Sequence, residues 1–139
     1  MKTLLICCFI VAFWEVAIGK INFSPEYEDN MNKIIDSCQQ DPGTRASDDW
    51  IQSEDLETAE NQGSHILCRL VKCGSLFPNG DINPEVMEAD LSSGIPTREI
   101  VQKILDDCGR RLPGLTAEQS AVKNFKCVLS TFQSLSGEK

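Results

Sequence analysis

A single histidine, His65, stands three residues before a cysteine, Cys68, a separation that on a helix brings an imidazole near a thiol. That pair is where nucleophilic chemistry or a zinc site would begin. Neither is complete, because a Cys–His nucleophile needs a third group to orient its base and a structural zinc usually needs four ligands. The segment Asp81-x-Asn83-x-Glu85 alternates oxygen-bearing side chains in the manner of a calcium loop. It lacks the loop's length and its glycine position, and reads as a turn followed by a helix cap. No catalytic residue, metal ligand or cofactor is assigned, and His65 reads as a solvated residue beside a helix start.

The cysteines carry more information. Of seven, Cys7 and Cys8 fall in the first nineteen residues, and Cys38, Cys68, Cys73, Cys108 and Cys127 follow at wide intervals. Widely spaced cysteines suggest disulfides in an exported chain and metal or redox chemistry in a reducing one. The N-terminus decides for export: Lys2 gives a positive charge, Leu4 to Phe13 an apolar run, and Ala17-Ile18-Gly19 a cleavage-like pattern, the three parts of a signal peptide. Glu15 interrupts the run before it reaches the ~20 residues of a membrane span. The expected organisation is a signal peptide over 1–19 and one secreted domain over 20–139, with no later segment apolar enough to span a bilayer.

The chain's net charge is −8, and it stays so without the signal peptide because Lys2 and Glu15 leave together. An acidic chain without a basic patch is a poor partner for nucleic acid. Asp48, Asp49, Glu54, Asp55, Glu57 and Glu60 read as a solvated acidic face.

Helical signals dominate the mature segment. Ser24-Pro25 reads as a cap and first helical position, with Tyr27, Met31, Ile34, Ile35 and Cys38 following at helical spacing. Ser47 caps a short helix around Trp50 and Ile51. Gly63-Ser64 opens a third helix whose Ile66, Leu70, Cys73 and Phe77 share a face. Asn83-Pro84 starts a fourth, carrying Val86, Met87 and Leu91. A fifth follows Pro96, its Ile100, Val101, Ile104, Leu105 and Cys108 lying within about 140° of one another. Thr116 and Gln119 form a capping box for a sixth, with Ala121, Phe125, Val128, Leu129 and Phe132 in one stripe. Cys127 lies off that stripe, where a cross-link to a neighbouring helix explains it and apolar burial does not. The expected fold is all-α, a compact bundle of about six helices joined by turns.

Six short helices, an acidic exported chain and this cysteine order resemble the insect odorant-binding protein family over essentially the whole mature segment. The family pattern has six cysteines, three residues between the second and third and eight between the fifth and sixth. Cys38, Cys73, Cys108 and Cys127 match the first, third, fourth and sixth, while the second and fifth positions fall on Arg69 and Glu118. Loss of that one pair resembles the C-minus subclass. The resemblance implies two disulfides, Cys38 to Cys73 and Cys108 to Cys127, and places Arg69 and Glu118 close enough for an ion pair. Cys68 departs from the pattern. It reads as a small apolar residue with a free thiol, with a displaced second cysteine and an intermolecular link as the alternatives.

The resemblance also implies function: a secreted, extracellular carrier that encloses a small hydrophobic ligand, such as an odorant or pheromone, and moves it through aqueous lymph towards an olfactory or other receptor. The inward stripes offer Met31, Ile66, Leu70, Phe77, Met87, Ile104, Phe125, Leu129 and Phe132 as cavity wall, residues equally suited to an ordinary core. A monomer or weak homodimer is expected. The rival reading is a secreted helical signalling or venom-type protein that acts through surface contacts.

Overall fold

The computed structural model describes residues 24–135; the signal-peptide reading falls on residues 1–19, outside them. The chain folds as α1 (Pro25–Gln40), α2 (Asp48–Ser53), a 3-10 segment (Leu56–Gln62), α3 (Gly63–Lys72), α4 (Pro84–Gly94), α5 (Arg98–Cys108) and α6 (Ala117–Leu135). Among these residues the only β pairing is an isolated bridge between Leu76 and Ile82. None of the described helices is long and apolar enough to cross a membrane.

The helix starts follow local chemistry. Ser24 and Ser47 accept from the backbone N–H groups of Tyr27 and Trp50, satisfying donors that a helix start leaves free. At α6 the Thr116 hydroxyl accepts from the Gln119 N–H at 3.1 Å, and the Gln119 side chain accepts from the Thr116 N–H at 2.9 Å. Asn83 precedes Pro84 at the start of α4 without a side-chain cap bond. The turn before α4 needs Gly80, at φ +96°, where a Cβ would lie 2.9 Å from Ala117 Cα.

The long α6 is the centre of the bundle, packing along α3 and α5. Met31 from α1, Trp50 from α2, Ile66 and Leu70 from α3, Met87 and Leu91 from α4, and Ile100, Val101 and Ile104 from α5 meet Ala121, Phe125, Val128, Leu129 and Phe132 in one apolar core. Gly63 admits close contact between α3 and α6, since a Cβ there would sit 3.2 Å from Glu118 Cβ.

Two disulfides join helix pairs within the described residues. Cys108 and Cys127 bridge α5 to α6, with Cα atoms 5.7 Å apart, as the family resemblance implies. The other bridge corrects the expectation: Cys38 on α1 pairs with Cys68, with Cα atoms 6.1 Å apart, and not with Cys73. Cys68 is consequently no free thiol. The reason is rotational: five residues at 100° each turn Cys73 by 140° from Cys68, and α1 docks on the face that Cys68 presents. Cys73 caps the end of α3, its Sγ 3.5 Å from the Leu70 carbonyl and 3.6 Å from Ser75 Oγ.

Candidate functional site

Eight of the nine candidate wall residues lie in the core: Met31, Ile66, Leu70, Met87, Ile104, Phe125, Leu129 and Phe132 are all buried and belong to one cluster. Phe77 is the correction, being 47% exposed. It follows the end of α3 at Lys72, so the helical spacing that aligned it with Ile66 and Leu70 no longer applies there.

This interior contains polar groups that sequence reasoning placed outside. Glu54 is buried instead of lying on a solvated acidic face, and its carboxylate meets the buried Arg69 guanidinium at 3.3 Å. It occupies the left-handed position that closes α2, at φ +49°. Burial pushes the Glu54 carboxyl up to about 6, against the lowering effect of the Arg69 charge and hydrogen bond. Arg69 also lies over the Phe125 ring, 5.9 Å from its centroid.

His65 is likewise buried, not solvated. Its Nδ1–H donates to the Thr44 carbonyl at 3.0 Å, and its ring meets Trp50 edge to face at 6.2 Å. Burial, reinforced by the Arg69 charge and opposed by the Thr44 bond, pushes its pKa down to about 4, so it is neutral at neutral pH. Glu54 Oε1 and His65 Nε2 are buried without a hydrogen-bond partner, two polar atoms inside an apolar interior. No sequence periodicity could have flagged them, because their burial arises from the docking of α2 and the Thr44 loop on α3.

The expected neighbourhood of Arg69 and Glu118 is also corrected. Gly63 packs on Glu118, whereas Arg69, six residues further along α3, lies on Phe125. The two helices run side by side in the same sense, which leaves Arg69 beyond Glu118 and in reach of Glu54.

At the α1–α4 contact, the Tyr27 hydroxyl donates to Asp90 Oδ1 at 2.5 Å. Burial pushes Asp90 up to about 6, with the Tyr27 bond opposing. Arg111 organises the turn before α4, donating to Asp81 Oδ1 at 2.9 Å and to the Asn79 and Leu115 carbonyls at 2.8 Å each. The Asp81 carboxylate is thus engaged by a guanidinium, whose hydrogen bond lowers its pKa. Among the described residues no group of three His, Cys, Asp or Glu side chains is placed to hold a metal.

Two clefts open on the α6 side of the bundle. The larger, about 730 Å³, runs between α6 and the 3-10 segment and is lined by Glu60, Gly63, Glu118, Val122 and Lys126 among others, and by none of the nine candidate wall residues. The smaller, about 230 Å³, lies between α6, the end of α5 and the turn at Gly80.

An apolar helical interior and two helix-to-helix disulfides among the described residues define a small cross-linked all-α domain. Residues 20–131 match the model of the PBP/GOBP family, and the chain belongs to this family of insect odorant- and pheromone-binding proteins. No curated protein and no solved structure matches the chain. Members of the family are secreted binding and carrier proteins for small hydrophobic ligands, not enzymes.

Proposed function

We propose that this chain is a secreted carrier which takes up a small hydrophobic ligand, an odorant, pheromone or other apolar semiochemical, among its helices and moves it through aqueous lymph. Family membership over residues 20–131 carries the reading. In it, residues 1–19 are a removable signal peptide and 20–139 the carrier domain. The eight buried residues from Met31 to Phe132 supply the apolar wall, and Glu54 and His65 supply the polar atoms that orient a ligand's head group.

The driving force is removal of ligand surface from water at ~25 cal/mol per Å². About 300 Å² then gives roughly 7 kcal/mol before the costs of ordering are subtracted, which sets micromolar affinity as the ceiling. Met31 and Met87, both buried, adapt to different ligand shapes, and broad specificity follows.

The test is fluorescence titration with an apolar naphthylamine probe, followed by displacement with alcohols, esters and fatty acids. Uptake near one probe per chain, weakened by Phe125→Ala and Leu129→Ala but not by Phe77→Ala, is the expected result. A folded protein that takes up no probe and no member of a varied ligand panel would overturn the carrier reading and favour the surface-acting alternative.

A further inference from the structure

Asn79 is the one asparagine of seven that a glycine follows. The other six precede Phe23, Met31, Lys33, Gln62, Pro84 and Phe125, where a bulky side chain or proline's missing N–H hinders attack by the next backbone nitrogen on the carboxamide. Gly80 cannot give way to a shielding residue, because its φ of +96° and the 2.9 Å that would separate a Cβ from Ala117 Cα both demand glycine. The segment lies at the surface, with Phe77, Pro78, Asn79 and Asp81 exposed.

The turn both prepares this attack and holds it back. Asn79 Oδ1 accepts from the Asp81 N–H at 2.9 Å, a ring closure that folds the carboxamide across the intervening Gly80 peptide. Asn79 Nδ2 donates to Asp81 Oδ2 at 3.1 Å. Two restraints oppose reaction. The N–H of the buried Gly80 is engaged, donating to the Phe77 carbonyl at 2.8 Å. Arg111 pins the main chain: its Nη1 donates to the Asn79 carbonyl at 2.8 Å and to Asp81 Oδ1 at 2.9 Å, and its Nη2 to the Leu115 carbonyl at 2.8 Å. Attack therefore waits on local opening, which in an exposed turn takes far less free energy than global unfolding.

We propose that Asn79 is a self-modification site, a spontaneous deamidation whose rate Arg111 sets. When the turn opens, solvent base takes the Gly80 N–H proton, and the nitrogen's electron pair forms a bond to Asn79 Cγ. The Cγ–Nδ2 bond breaks, Nδ2 takes up a proton and departs as ammonia, and a succinimide ring remains. Water then opens the ring at either carbonyl. The products are aspartate, or isoaspartate in which the main chain runs through Cγ. Either one adds a negative charge beside Asp81, and isoaspartate also lengthens the main chain by one methylene. Gly80 then no longer fits against Ala117, so the joint between the turn before α4 and the start of α6 loosens. The site stands or falls independently of the carrier reading.

The experiment ages the full chain at mildly alkaline pH and follows each asparagine by peptide mass spectrometry, with isoaspartate scored by enzymatic methylation of its carboxyl group. Three samples run together: the native protein, Arg111→Ala checked as folded by circular dichroism, and the native sequence reduced and unfolded in urea. Asn79 should convert ahead of every other asparagine in all three, slowest in the native protein and about tenfold faster in Arg111→Ala. Arg111→Lys, which keeps the charge but loses the fork, should fall between them and serves as the test if the alanine variant does not fold. Aged native protein should separate as a more acidic form on ion exchange, with faster amide exchange at residues 77–82 and 111–117. No conversion in the native protein once the unfolded chain has fully reacted would overturn the site, as would conversion of several asparagines at like rates. Equal rates for the native protein and the Arg111 variants would overturn the role of Arg111.

Discussion

The two disulfide-linked helix pairs are built differently. Between α5 and α6 the connection is short, and the joint is made of Cys108–Cys127, apolar contacts and the neutral Asn124 bond to the Cys108 carbonyl. Between α1 and α3 lie a loop, α2 and the 3-10 segment, and the region around Cys38–Cys68 encloses ionisable groups: Glu54 on Arg69, and His65 on the Thr44 carbonyl. The first joint depends on packing and covalent closure. The second depends also on the charge state of its buried groups, which makes it the part of the fold that acidity and single substitutions should disturb.

The largest expected effect is at Arg69. Arg69→Met leaves the Glu54 carboxylate buried without this cationic partner and should cost about 3–5 kcal/mol at neutral pH. Adding Glu54→Gln should recover much of the loss by removing the charge. Urea denaturation of the single and double variants measures both, and an unchanged midpoint for Arg69→Met would refute the buried pair.

Removing the disulfides should separate the joints less sharply. Replacing Cys38 and Cys68 by serine opens a loop of 30 residues' separation, and replacing Cys108 and Cys127 one of 19. Loop entropy assigns these about 3.6 and 3.2 kcal/mol. Non-reducing peptide mapping tests the pairing directly; a Cys38–Cys73 peptide would mean that α1 docks on another face of α3.

The smallest effect concerns pH. Asp90 has a folded pKa raised by burial from 3.8 to about 6, so its contribution is fully present below pH 4 and is lost as pH rises through 6. His65 has a folded pKa lowered from 6.5 to about 4, so its contribution is present above pH 6.5 and is lost as pH falls through 4. Asp90 and His65 therefore respond to acid in opposite senses, and Glu54, also raised by burial to about 6, responds in the sense of Asp90. Tyr27→Phe, which takes the hydroxyl from an ionised Asp90, should cost about 1.5–3 kcal/mol at pH 7.5 and about 1 kcal/mol or less at pH 4.5. Denaturation at the two pH values checks this, and an equal cost at both would show that Asp90 does not change charge between them.

The order of helices was legible in the sequence because caps and periodicity are local. Ser24-Pro25, Ser47, Asn83-Pro84 and Thr116 with Gln119 each stand at or next to an observed helix start, and the stripe from Ala121 to Phe132 faces the core. Cys127 was legible as a cross-link because it lay off an otherwise apolar stripe. Phe77 was misread where the helix stopped, since spacing carries meaning only while the helix continues.

What the sequence alone determined is the list of helices, most of their apolar faces, Cys127 as a cross-link and, through its resemblance, the family to which the chain belongs with the Cys108–Cys127 pairing that the family implies. Tertiary structure decided the rest. Which of Cys68 and Cys73 meets Cys38 depends on the face of α3 against which α1 comes to rest. Whether Glu54 and His65 are solvated or buried depends on segments 15 and 21 residues away from their partners. Ser120 and Asn124 are buried only when the end of α5 and the turn at Gly80 pack beside α6. A helix's own periodicity fixes where its side chains point, but the partner that each one meets is fixed only when separate helices dock.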